Sequence, residues 1–162
     1  HCLFLADDRR FVGINRLSDR ISDNNIATAK GYLVALEQMA GGLAGNKVLV
    51  LGYGIVGKCL VNLLKEKGAY PVVYDINPDR TADLDPENVL TDKNLIKNYP
   101  LLIDATNTGG WLREEMLHPD FRMAAPGIPL SLDIELYNKY RNQVVHDWLQ
   151  IGTAVMMGEL CK

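Results

Sequence analysis

Val48-Leu49-Val50-Leu51-Gly52-Tyr53-Gly54-Ile55-Val56-Gly57 is the stretch on which the reading of this 162-residue chain turns. Four consecutive apolar residues are what a short strand buried on both faces requires. A Gly-x-Gly-x-x-Gly sequence follows without a gap and opens a segment, Val56 to Lys67, whose apolar positions Val56, Leu60, Leu63 and Leu64 share one helical face before Gly68 stops it. Pro71 to Tyr74 then supplies a returning strand, with the proline at its start, where a missing N–H is tolerated. The glycine pattern alone is weak evidence, but strand, turn, helix and strand in this order make a whole βαβ unit.

Each glycine has a physical reason for its place in such a unit. Gly52 permits the tight turn, Gly54 lets a diphosphate approach the backbone, and Gly57 lets helix and strand pack closely. The N–H groups of Ile55 and Val56 would face the phosphates at the positive end of the helix dipole. Asp75, with Ile76 beside it, ends the returning strand about twenty residues beyond the turn, where a carboxylate accepts ribose hydroxyls. A carboxylate there repels a 2′-phosphate, so the expected cofactor is NAD rather than NADP. Arg80 is the residue that would reverse this by reaching for a 2′-phosphate, although it also reads as a solvated side chain after Asn77-Pro78.

The rest of the chain extends the unit. Strands are expected at Leu101 to Ala105, Met123 to Ala125 and Val144 to His146, with a closing helix from Leu149 to Leu160. The fold class is therefore α/β, a doubly wound, mostly parallel Rossmann-type sheet. Thr106, Asn107 and Thr108, and Ala125 with Pro126 and Gly127, follow strands on the edge where ligands bind in such sheets, and are candidates for the path toward the nicotinamide. Upstream, Leu3 to Ala6 and Phe11 to Ile14 read as a small hairpin around the charged turn Asp7 to Arg10. Ile26 to Ala40 reads as a helix, with Asp23 and Asn24 as capping candidates and Gly41-Gly42 as its stop. We divide the chain into residues 1–44, an extension with a linking helix, and residues 45–162, the dinucleotide domain. The start at His1 and the apolar run behind it suggest a piece of a longer protein.

Composition narrows the functional classes. A net charge of −3 with scattered Lys and Arg argues against nucleic acid as a partner. No apolar run approaches the roughly 20 residues needed to span a bilayer, so no membrane association is expected. Cys2, Cys59 and Cys161 lack metal-ligand spacing and read as reduced thiols, which points to the cytoplasm and to no metal. Met39, Met156 and Met157 read as core packing. His146-Asp147 follows a strand; His146 is the candidate for proton transfer, while Asp147 reads equally as the cap of the last helix.

Several further segments together resemble the pyrrolysine-forming dehydrogenases of pyrrolysine biosynthesis. They are Phe4 to Asn15 (FLADDRRFVGIN), Asp23 to Gly31 (DNNIATAKG), Met39 to Leu43, Ala124 to Leu130 (AAPGIPL) and His146 to Gly152 (HDWLQIG). The resemblance implies NAD-dependent oxidation of the terminal amine of 3-methylornithyl-lysine, followed by cyclisation to pyrrolysine. It also implies substrate contacts at Asp7 and Asn24, an amino-acid-derived small molecule as the partner, and a helical domain upstream of these motifs that this chain lacks; a homodimer is an allowed assembly. Other oxidoreductases of the shikimate or methylenetetrahydrofolate dehydrogenase type, and a non-catalytic NAD-binding sensor, are the alternatives.

Overall fold

The computed structural model describes residues 2–7, 10–147 and 150–162. His1, part of the expected Asp7 to Arg10 turn, and Leu149 at the expected start of the closing helix lie outside the described residues. Two sheets are present. The larger contains β4 (Lys47–Leu51), β5 (Tyr70–Tyr74), β6 (Leu101–Asp104), β7 (Arg122–Ala125) and β8 (Val144–His146), all parallel, in the spatial order β5-β4-β6-β7-β8. This is the Rossmann-type sheet expected from the sequence. Its order reverses beside β4, because β5 lies on one side of that strand and β6 on the other. Pro71 falls on the edge strand, where one missing N–H interrupts no central ladder.

The continuous apolar strands are explained by burial on both faces. Val48 and Val50 face one layer with Leu33, Leu36, Leu60 and Leu64, whereas Leu49 and Leu51 face another with Ile96, Leu112, Phe121 and Leu132. The first layer is built by the helices α1 (Asn24–Ala40) and α2 (Ile55–Glu66). The opposite layer is different. Between β5 and β6 the chain runs through 3₁₀ turns at Pro78–Thr81, Pro86–Asn88 and Lys93–Asn98, and the short helix α3 (Ile134–Lys139) precedes β8. Single apolar residues in and between these pieces, Leu90 and Ile96 among them, close that face in place of long helices.

The amino-terminal hairpin, β1 (Cys2–Ala6) with β2 (Phe11–Asn15), gains a third antiparallel strand, β3 (Arg20–Asp23), that the sequence did not reveal. The alternation in β3 is inverted: Ile21 is 70% exposed and Ser22 is buried, its hydroxyl donating to Glu159 Oε2 at 2.5 Å. Lys30 reaches the same carboxylate at 2.6 Å, which ties α1 to the carboxy-terminal helix α4 (Gln150–Leu160). Gly31 and Gly152 let these helices approach closely; a Cβ at Gly152 would lie 2.4 Å from Thr28 Oγ1. Met156 is fully buried, but Met157 is exposed, a correction to its reading as core.

Asp23 rather than Asn24 caps α1, accepting the Asn25 N–H at 2.9 Å, and Gly41 ends the helix at φ 73°. Arg10 donates to the same aspartate at 2.7 Å. Burial pulls the Asp23 pKa upward, but the Arg10 hydrogen bond and charge and the Asn25 and Ile26 amides outweigh it and hold the carboxyl below its ordinary value. A depressed folded-state pKa contributes stability that is present above the unfolded value and is lost as pH falls through the folded value. Asp23→Asn keeps an N-cap acceptor but loses the ion pair. Its melting temperature is therefore expected below that of the parent at neutral pH, with the gap closing in acid; a constant gap in melts across that range refutes the linkage. No described helix is long and apolar enough to cross a membrane.

Candidate functional site

A cavity of about 390 Å³ lies over the carboxyl ends of β4, β5 and β6, where the strand order reverses. Open sheets of this kind bind ligands at that position. The strand-to-helix corner forms its floor. Gly52 has φ 89° and stands against the backbone of Ala105, at the end of the neighbouring strand. A Cβ on Gly57 would sit 2.0 Å from the Gly52 carbonyl oxygen, so the first turn of α2 can approach β4 only without a side chain. Gly54 differs from both. A Cβ there meets nothing within 4 Å, so the backbone faces open space inside the cavity, flanked by Ile55 and Val56 at the start of α2.

Asp75 anchors the corner from β5. Its Oδ2 accepts the Tyr53 N–H at 2.7 Å and its Oδ1 the Asn77 N–H at 2.9 Å, with the Arg80 guanidinium 3.8 Å away. Each carboxylate oxygen keeps a second lone pair, so a ribose hydroxyl can still be accepted. Ile76 and Arg80 line this end of the cavity, together with Lys93, whose role nothing in the sequence signalled. Tyr74 and Trp111 form a stacked aromatic wall with ring centroids 6.0 Å apart. Trp111 also lines the cavity, beyond the Gly109-Gly110 turn, and its place became visible only in three dimensions.

Thr106, Asn107 and Thr108 line the side toward β6. Behind them Asp104 is fully buried, accepting from Thr106 N–H at 3.0 Å, Thr106 Oγ1 at 2.6 Å and the Ser131 N–H at 3.2 Å. Burial pushes its pKa up against the hydrogen bonds from Thr106 and Ser131. The Asp104 carbonyl accepts the Gly127 N–H at 2.8 Å, and a Cβ on Gly127 would fall 2.2 Å from the Thr106 carbonyl oxygen. One aspartate therefore sets the loops after β6 and β7 against each other. Ala125 is fully buried in β7 and stands outside the cavity lining.

A smaller cavity of about 180 Å³ adjoins the first at Val56, which lines both. Asn24, Thr28 and Tyr32 of α1 form one wall, Pro126 and Ile128 another, and Asp147 and Gly152 a third. Asn24 is thus brought beside the larger cavity. Asp7 is not: it is exposed in the turn between β1 and β2, its carboxylate accepting the Arg10 N–H at 2.7 Å, and it lines neither cavity. His146 lies at the end of β8, outside both linings. Its Nδ1 is 2.8 Å from the Ala125 carbonyl oxygen, so that nitrogen carries the proton, and the ring meets Tyr137 edge-on.

No family model matches the chain. The pyrrolysine synthases of Methanosarcina barkeri and Methanosarcina acetivorans are each 28% identical to it over 96% of its length. The chain is thus similar in sequence to these two synthases over nearly its whole length. It spans 59% of the length of the first and 60% of the second. The likeness to these synthases therefore runs through the extension as well as the dinucleotide unit. Among solved structures, shikimate dehydrogenase of Aquifex aeolicus superposes with a TM-score of 0.65 at 14% identity, covering 94% of this chain and 61% of that one. At that identity the likeness is one of fold.

Proposed function

We propose that the chain is the dinucleotide-binding part of an NAD-dependent amine dehydrogenase. In this reading it oxidises the terminal amine of 3-methylornithyl-lysine, and the product cyclises to pyrrolysine. The observation that carries the reading is the open backbone of Gly54 at the strand-order reversal, facing a cavity with Asp75 at one end and Asn107 at the other. The sequence likeness to pyrrolysine synthases supports this choice of substrate.

The residues present fit the cofactor. Ile55 and Val56 offer amides to the diphosphate, Asp75 accepts from the adenosine ribose, and Thr106, Asn107 and Thr108 border the nicotinamide half. When bound, the nicotinamide accepts hydride from the carbon bearing the amine. The ammonium group loses a proton, the C–H bond breaks with its electron pair, and a C=N bond forms on the substrate. The ornithine α-amine then attacks this carbon, and ammonia leaves as the pyrroline ring closes. Cyclisation needs no nucleophile from the protein, so its contribution is position and exclusion of water. His146 has no place in this scheme other than support of β7.

Arg80 and Lys93 at the ribose end supply the specific observation that favours NADP as a second reading. Asp75→Ala separates the two. Loss of the carboxylate is expected to relax the preference for NAD over NADP by about tenfold or more, a cost of about 1.4 kcal/mol in discrimination. An unaltered ratio of dissociation constants removes Asp75 from the ribose contact. The reaction itself is tested with the full-length protein, 3-methylornithyl-lysine and NAD, by following NADH absorbance and the mass of the cyclic product. Binding of NADH without turnover of this substrate refutes the amine oxidation.

A further inference from the structure

We propose that Asp147, held in place by the hydroxyl of Tyr32, is the anionic contact for the substrate's ammonium group in the smaller cavity. The proposal rests on the amine-oxidising reading and adds a residue to it. Asp147 carries the only charged side chain among the described residues that line this cavity. It is fixed from three directions. The Tyr32 hydroxyl donates to its carbonyl oxygen at 2.7 Å and accepts its N–H at 3.0 Å, while its Oδ1 accepts the N–H of Gln150, the first residue of α4, at 2.6 Å. Tyr32 is itself 2% exposed, so the hydroxyl that clamps this backbone cannot move far.

The opposing surfaces suit an alkylammonium group. Asn24 and Thr28 offer side-chain oxygens, and Gly152 brings α4 so close that a Cβ there would lie 2.8 Å from Asn24 Oδ1. Pro126 closes the β7 side without an N–H to attract an anion. Val56 lines both cavities, so a group held against Asp147 lies next to the dinucleotide site. Charge-assisted hydrogen bonds from an ammonium to a carboxylate are stronger than neutral ones. The carboxylate that meets the cation is thus placed at the start of α4, whereas Asp7 stays in its exposed turn.

The test uses the full-length protein and Asp147→Asn, which retains a side-chain oxygen for the Gln150 N–H and removes the charge. The KM for 3-methylornithyl-lysine is expected to rise about tenfold or more, with the NADH dissociation constant within about twofold. Tyr32→Phe is expected to raise KM by a smaller factor, and Asp147→Glu to recover part of the loss. An unchanged KM in a folded Asp147→Asn variant overturns the proposal. If the parent binds NADH but oxidises nothing, the redox reading falls and a titration decides this one separately. In the presence of NADH, 1,5-diaminopentane should bind the parent more tightly than 1,5-pentanediol does; equal binding, or none, overturns the proposal even if Asp147→Asn does not fold.

Discussion

Gly54→Val is expected to fold as the parent does and to bind NADH about a hundredfold more weakly or worse, a loss of at least about 2.7 kcal/mol. The reason lies in what surrounds that position. A Cβ on Gly54 has no neighbour within 4 Å, so the protein has no steric objection to a side chain, and its φ of −77° suits any residue. The space a valine would fill is the cavity itself. Diphosphate binding at a helix N-terminus depends on backbone amides reached at hydrogen-bond distance, and the isopropyl group holds the phosphates away from them. Stability should fall by about 1 kcal/mol and no more, the cost of replacing glycine by the poorer N-cap valine at a site that has room for its side chain. Calorimetric titration with NADH and a thermal melt check the two halves; parental affinity in the variant would move the phosphates elsewhere.

Gly57→Ala is expected to do the opposite, damaging the fold first. Three residues further on, the added methyl would lie 2.0 Å from the Gly52 carbonyl oxygen and 3.0 Å from its carbon. These are backbone atoms at a corner already bonded on both sides: the Gly52 N–H donates to the Tyr74 carbonyl at 2.7 Å, and the Leu51 carbonyl accepts the Ala105 N–H at 2.8 Å. Relief requires α2 to move away from β4, which opens the packing of Leu60 and Leu64 against Val48 and Val50. Overpacking of a rigid site costs about 3 kcal/mol or more, which lowers the melting temperature of a domain this size by about 6–12 °C. A melt within a degree or two of the parent would show that the corner is looser than its geometry indicates. Together the two glycines separate ligand contact from packing within a single motif.

The motif was legible because its demands are local. A buried strand, three glycines at fixed offsets and an amphipathic helix occupy neighbouring positions, and each leaves its own mark on the sequence. β3 left none, because its inward residue is Ser22, bonded to Glu159 across the molecule, while Ile21 faces outward. The layer over Leu49 and Leu51 was equally hidden, since 3₁₀ turns of three to six residues are too short to show a helical period. Asp7 and His146 illustrate a different limit. Their residue types suggest chemistry, but the fold puts one in an exposed turn and turns the other's Nδ1 toward Ala125. Tyr32 and Asp147 are 115 residues apart, so no spacing rule could have paired them.

The extension is part of the same physical unit as the sheet. Ala29, Tyr32, Leu33 and Leu36 of α1 share a core with β4 and α2, and α4 returns to cover both α1 and the three-stranded sheet. Asn24 and Tyr32 reach the smaller cavity by this route. A boundary drawn after residue 44 therefore divides the sequence by motif, while the packing runs across it.

Dinucleotide binding in this reading rests on the backbone amides of the corner at Gly54. Titration calorimetry of the folded protein with NADH measures it directly. A saturable heat with one site per chain, abolished in Gly54→Val, is expected; no heat from the parent with either NADH or NAD rules out a dinucleotide at this corner.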